Sequence, residues 1–162
     1  MDTSPATLHL LCGKIAAGKS TLCAELAAAP NTVVIAEDAW LAMLYGDRMK
    51  TGADFMHFCA RLRAALTDHI AALLRSGLSV VLDFAANTRG QRAWMREVIA
   101  ASGAVHQLHF LDVPDEVCLA RLRARNASGA HPFAATEEQF RRFSAHFEAP
   151  AADEGFEIVR HG

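Results

Sequence analysis

No apolar run in this 162-residue chain outlasts a β-strand before a charge interrupts it, so no segment reads as a membrane span. The N-terminus carries Asp2, has no basic stretch and leads straight towards a strand; no secretory leader and a cytoplasmic location are therefore expected. Four cysteines (Cys12, Cys23, Cys59 and Cys118) form no C-x-x-C pair, which sets aside a zinc ribbon or dithiol redox site and leaves them as small buried hydrophobes. Eight histidines include no H-E-x-x-H or similar ligand spacing, and His106 and His109, three apart on an expected strand, fall on opposite faces. A net charge of −2 and a pI near 6.4 exclude the basic footprint of a protein that binds long duplex nucleic acid, although not a polynucleotide end as substrate. No Ser-, Pro- or Gly-rich tract separates one part of the chain from another.

What is present is a globular composition, 52% hydrophobic with mean hydropathy +0.13, and a length that suits one domain over residues 1–162. Only residues 1–5 read as a loose terminus. Short β-type runs at 7–12, 32–36, 79–83, 105–111 and 156–160 alternate with helical patterns at 19–29, 39–44, 53–75, 89–102, 115–125 and 136–147. That alternation predicts an α/β sandwich of three layers, a five-stranded parallel sheet with helices on both faces. The 53–75 helix has the clearest period, with Phe55, Phe58, Cys59, Leu62, Leu66, Ile70 and Leu74 on one stripe that is expected to be core. Ser76-Gly77 is its expected stop.

After the first β-run, residues 13–20 spell G-x-x-x-x-G-K-S. This is a phosphate-binding loop. Gly13 and Gly18 let the backbone turn tightly so that N–H groups, including those of Ala16 and Ala17, point inward around an anion. The helix that follows adds its unpaired first-turn N–H groups and the positive end of its dipole. Lys19 places a full charge at the β- and γ-phosphates, the Ser20 hydroxyl suits a Mg²⁺ ion, and Thr21 suits the α-phosphate. Lys14, in the variable part of the loop, reads as solvated.

Ligands of open parallel sheets bind beyond the carboxyl ends of the strands, so residues at those ends are the next candidates. Asp38 follows the second strand. It is placed either to orient an acceptor hydroxyl and take its proton or merely to cap a short helix starting at Ala39, with Glu37 in reserve. Asp83 ends the run Val80-Val81-Leu82-Asp83, the pattern of a carboxylate that holds a Mg²⁺ shell, and equally the pattern of any buried strand ending in Asp. Asn87 and Thr88 suit a helix cap; Arg89 and Arg92 either reach substrate or lie on the surface. Arg121 and Arg125, four apart, share a helix face before a Gly- and Pro-containing stretch. They are either a solvated face or the cationic arm of a lid at about 125–135 that closes on a transferring phosphoryl group.

Together these residues resemble the P-loop kinases of small molecules and nucleic-acid ends: polynucleotide 5′-hydroxyl kinases, zeta-toxin-like kinases, chloramphenicol phosphotransferase and bacterial proteins described only as ATP-binding kinases. The matching pieces are the 13–20 loop, Asp38, V-L-D-F-x-x-N-T-x-x-x-R from Val81 to Arg92, D-V-P leading into C-x-x-R-L-x-x-R-N from Cys118 to Asn126, and F-x-x-P-x-x-D-E-G-F from Phe147 to Phe156. The resemblance implies a P-loop NTPase fold like that of nucleoside-monophosphate kinases with an arginine-bearing lid. It also implies ATP with Mg²⁺ as donor, and Asp38 as the base. No acceptor pocket is matched; Trp40, Tyr45, Arg48 and the 53–75 helix, within an acceptor-side segment at about 39–75, are the expected wall. Alternative readings are a nucleotide hydrolase, either a GTPase or an AAA-type motor, and a non-catalytic ATP-binding regulator. An N-K-x-D guanine motif is absent, and the chain is short for an AAA motor.

Overall fold

Alternation along the first strand decides which face of the sheet each residue serves. In β1 (Thr7–Cys12), Leu8, Leu10 and Cys12 join the larger core, while Leu11 packs on the opposite side. The computed structural model describes residues 4–129 and 135–162. Its order is β1, α1 (Lys19–Ala27), β2 (Thr32–Ala36), α2 (Glu37–Tyr45), α3 (Gly52–Arg75), β3 (Ser79–Asp83), α4 (Arg89–Ser102), β4 (Val105–Leu111), α5 (Asp115–Ser128), α6 (Glu137–Ala145) and β5 (Ile158–His161). The five strands form one parallel sheet in the order β2-β3-β1-β4-β5. No helix among the described residues is long and apolar enough to cross a membrane.

The larger core lies where α3 and α4 cover one face: Leu62, Leu66 and Ile70 of α3 and Met95 and Val98 of α4 meet Leu10, Leu82 and Leu108 of the strands. On the other face α1 presents Leu22, Cys23 and Leu26 to Leu11 and Val81, and α5 and α6 add Cys118, Leu122 and Phe140 against Leu111. Adjacent strands β1 and β3 thus send their following helices to opposite faces. Such a switch point opens a crevice between their carboxyl ends, and the 13–20 loop and Asp83 stand on its two sides.

Local chemistry sets the helix ends. The Thr51 hydroxyl accepts from the Asp54 N–H at 3.0 Å and the Asp54 carboxylate accepts from the Thr51 N–H at 3.2 Å, a reciprocal cap that starts α3 at Gly52. Gly77, at φ 92°, ends it: the Gly77 and Leu78 N–H groups donate to Leu74 and Leu73, as a left-handed glycine after a helix permits. Of the expected core stripe, Phe58 packs against the core and stacks on Tyr45 at 4.3 Å, but Phe55 is 45% exposed. It stands in the first turn of α3, outside the buried cluster that holds Leu62, Leu66 and Ile70. α5 runs on to Ser128, one turn beyond the expected end, and Gly129 stops it at φ 64°. Residues 130–134 of the expected lid lie outside the described residues.

Arg92 is the largest fully buried side chain. Its Nε donates to Glu154 Oε1 at 2.7 Å, Nη2 to Glu154 Oε2 at 3.2 Å, and Nη1 to the carbonyls of Ala86 at 2.9 Å and Glu148 at 2.8 Å. Arg89 pairs outside it with Asp153 at 2.9 Å. Both arginines are thus held by the C-terminal segment, which answers their open assignment in favour of structure.

A row of three imidazoles crosses the sheet. His109 Nε2 shares a proton with His9 Nδ1 at 3.0 Å, and His109 Nδ1 with His161 Nε2 at 2.9 Å. Burial, then the positive charge that either neighbour can carry, holds His109 down to about 4.

Arg92→Ala is expected to lower unfolding stability by about 3–5 kcal/mol in urea titrations, because it leaves Glu154 and two carbonyls without their partner. His109 is protonated in the unfolded chain below about pH 6.5 but stays neutral in the fold until about pH 4. Thermal stability should therefore fall as pH drops through that window, and His109→Gln should flatten the slope.

Candidate active site

The phosphate loop gets its shape from two different uses of glycine. A Cβ on Gly13 would stand 3.2 Å from Ala17 Cβ and from Leu111 Cβ, so this position is small because β4 passes beside it. Gly18 has φ 109°, a backbone that side chains rarely adopt. Ala16 also takes a left-handed φ of 63° without being glycine, and the turn closes with Ala17 N–H donating to Lys14 O at 3.1 Å. Held strain of this kind, about 1 kcal/mol or more, gathers at ligand clamps. Gly18 caps α1 without any side-chain bond, and the first turn has no acidic residue, so its N–H groups suit an anion.

Asn87 clamps the loop's start. Its Oδ1 accepts from Gly13 N–H at 3.0 Å and its Nδ2 donates to Gly13 O at 2.9 Å. The expected capping role falls to Thr88 alone, whose hydroxyl accepts from Gln91 N–H at 3.1 Å. Lys19 Nζ donates to the carbonyls of Gly13 and, at 2.9 Å, Lys14. Burial lowers its pKa, partly offset by the negative charge of Asp83. Lys14, a quarter exposed, is tied rather than free: it pairs with Asp115 at 2.7 Å and lies over the Phe147 ring.

Two clefts meet at Lys19. The first, about 660 Å³, is lined by residues 15–22, Glu25, Leu111, Arg121, Arg125 and His161. Arg121 Nη1 donates to Ala17 O at 3.2 Å. Arg125 Nε is buried and has no hydrogen-bond partner among the described residues, an orphaned donor in the same cleft as the loop. Ser20 and Thr21 sit exposed at this cleft's wall. The second, about 620 Å³, brings Asp38 and Asp83 together with Lys19 and extends between α3 and α4 past Phe55, Met56, Phe84 and Trp94. Sequence reasoning found Lys19, Asp38 and Asp83 separately; the fold puts them in one cavity.

Asp38 does not cap a helix, because α2 starts one residue earlier at Glu37 with Ala36 at its cap and no side-chain bond. Glu37 is not a spare base either. Buried, it takes both ends of Arg63, at 2.9 Å and 3.3 Å, while that guanidinium lies over Trp94 and Phe84. The Trp94 indole N–H donates to Thr67 Oγ1, whose hydroxyl donates to Arg63 O, so α2, α3 and α4 are braced at the cavity wall. Asp83 has its pKa raised by burial and by the charge of Asp38, against the pull of Lys19. Burial, with Glu37 nearby, pushes the Cys59 thiol on the same wall up to about 11, so it is not a nucleophile at neutral pH. Of the expected acceptor wall α3 is there, while Trp40, Tyr45 and Arg48 are not.

Sequence reasoning also missed the Asn87 clamp, the Glu37–Arg63 brace and His161. His161 was within reach of the strand-end rule, because it is the last residue of β5; the other two depend on contacts 26 and 74 residues apart that no local pattern announces.

The sequence matches the family model described as AAA domain over residues 8–150. The chain belongs to that family. Among curated proteins, none matches. Solved structures that share the fold include a sugar kinase from Janibacter sp. HTCC2649, with 19% identity, TM-score 0.64, and coverage of 96% of this chain and 86% of that one. The APS kinase CysC of Mycobacterium tuberculosis, in complex with AMPPNP and APS, shows 19% identity and TM-score 0.59, covering 97% and 90%. A chain of the Pnkp1/Rnl/Hen1 RNA repair complex shows 17% identity and TM-score 0.61, with coverage of 90% of this chain and 45% of that one. The fold of this AAA-domain member is thus the P-loop kinase fold, as the resemblance implied.

Asn87→Asp keeps the acceptor for Gly13 N–H but sets a carboxylate oxygen against Gly13 O. Stability is expected to drop by about 1–3 kcal/mol, and nucleotide affinity with it, as read by denaturant titration and calorimetry.

Proposed function

We propose that this protein is an ATP-dependent phosphotransferase that moves the γ-phosphoryl group to a hydroxyl. The observation that carries the reading is the sharing of Lys19 by two clefts. A nucleotide hydrolase or a passive binder needs only the loop-lined one. A transferase needs a second cavity that presents an acceptor to the same phosphate from the far side, in line with the bond that breaks.

In this reading Gly13, Ala16, Ala17 and Gly18 supply backbone N–H groups, Thr21 a hydroxyl, and Lys19 the charge at the β- and γ-phosphates. Asp38 orients the acceptor O–H and takes its proton as the oxygen bonds to phosphorus; the bond to the β-phosphate oxygen breaks, and ADP leaves with that electron pair. Arg121 and the unpartnered Arg125 sit where negative charge accumulates on the transferring group. Ser20 and Asp83 would hold Mg²⁺. Their hard oxygen donors suit it, and the described residues contain no cluster of three His, Cys, Asp or Glu that would favour another metal. When bound, that ion neutralises charge on the phosphates.

The neighbours' printed settings, a sugar, RNA repair and APS, differ from one another, so the fold by itself selects no acceptor. The decisive assay follows phosphoryl transfer from ATP to a panel of hydroxyl-bearing metabolites, nucleosides and 5′-hydroxyl oligonucleotides. Lys19→Ala should abolish transfer. Asp38→Asn should cut turnover by about 10²–10⁴ with nucleotide affinity nearly intact. Full activity in either variant, or ATP hydrolysis that no acceptor redirects, would reject the reading.

A further inference from the structure

The charges around the second cleft are unequal. Among the described residues, Glu37, Asp38, Asp83 and Glu97 line it against only Lys19 and Arg63. Arg63 offers nothing to a ligand, because Glu37 takes it at two points and the rings of Phe84 and Trp94 cover it; its side chain is 15% exposed. Lys19 turns its ammonium to the loop carbonyls of Gly13 and Lys14. What faces the cavity is therefore acidic: Asp38 and Asp83, which line it together with Lys19, and exposed Glu97 on α4. Between these lies an apolar channel formed by Phe55, Met56, Ala60, Ala64 and Phe84.

A phosphate, sulfate or carboxylate in this cavity would be brought beside like charges, with no guanidinium or ammonium among the described residues left to receive it. An anion-binding acceptor site needs the reverse, an arginine fork or lysine directed into the pocket. The volume, about 620 Å³, is that of a small-molecule site.

From this we infer that the acceptor is a small alcohol bearing no negative charge, with an apolar body of ring size lying along Phe55, Met56 and Phe84 and its hydroxyl at Asp38. The inference rests on the phosphotransferase reading for the step itself: the acceptor oxygen bonds to the γ-phosphorus, its proton passes to Asp38, and ADP departs. It sharpens that reading by excluding sugar phosphates and nucleic-acid ends. An amine on the acceptor is tolerated, because Glu97 faces it.

The test uses a matched series, 2-phenylethanol, phenylalaninol and 3-phenyllactate, together with a 5′-hydroxyl oligonucleotide. Binding to the full chain is measured by calorimetry with Mg²⁺ and a non-hydrolysable ATP analogue present, and transfer is followed separately with ATP. The neutral and amine members should bind about tenfold or more tighter than the acid, and Glu97→Lys should narrow that gap. Equal or tighter binding of phenyllactate or the oligonucleotide overturns the inference, as does a failure of all three phenyl compounds to bind. A charge preference in binding without transfer to any acceptor, by contrast, rejects the phosphotransferase reading and leaves the acceptor-site chemistry standing.

Discussion

A guanidinium removed from water is costly unless its donors are answered, and Arg92 shows how far one such set of answers reaches. Its partners are Glu154, the carbonyl of Ala86 and the carbonyl of Glu148, which belong to the C-terminal turn, the segment after β3, and the stretch between α6 and that turn. Ala86 immediately precedes Asn87, and Asn87 O in turn accepts from Glu148 N–H at 2.8 Å. The clamp on Gly13 is therefore held by a residue that lines neither of the two clefts. Charge burial here is spent on placement: an apolar residue of the same volume would fill the space but would not specify where the segment after β3 lies.

From that fixed point the site divides by sign. On one side of Lys19 are backbone N–H groups and two arginines, one with an unanswered buried donor; on the other are two carboxylates and an apolar channel. An ammonium is the one group that serves both, since it attracts phosphate on one side and stabilises Asp83 as an anion on the other. The Glu37–Arg63 brace keeps this division clean. It holds the first turn of α2, and so Asp38, against α3 without placing a free positive charge in the second cleft.

The architecture was legible because it is written in short-range patterns. Alternation in β1, the amphipathic period of α3, and the turn chemistry at Ser76-Gly77 each involve a few neighbouring residues, and the first four strands fall where those patterns put them, while β5 starts two residues later than expected. The loop was legible because glycine spacing and its lysine form one contiguous motif. What the sequence concealed is set by distance along the chain. Asn87 looked like a cap because Asn next to Thr at a helix start normally is one; only the fold brings Gly13 within reach. Phe55 looked like core because it shares the stripe of Leu62 and Leu66, yet in the first turn of α3 it stays 45% exposed. Arg89 and Arg92 were ambiguous for the same reason, since Asp153 and Glu154 stand more than sixty residues away.

The strand order has a consequence for how this molecule comes into being. β1 is made first but pairs only with β3 and β4, so the phosphate loop, complete as a sequence at Ser20, gains its two flanking strands only when Leu111 has been synthesised. At ~5–20 residues per second that interval is on the order of ten seconds. Until Asp83 the emerging chain carries β1 and the loop without either flanking strand, and the clamp from Asn87 arrives before the strand that narrows the space at Gly13. Nucleotide recognition in this fold is a property of nearly the whole chain, and a ribosome-bound N-terminal fragment has the motif but not the site.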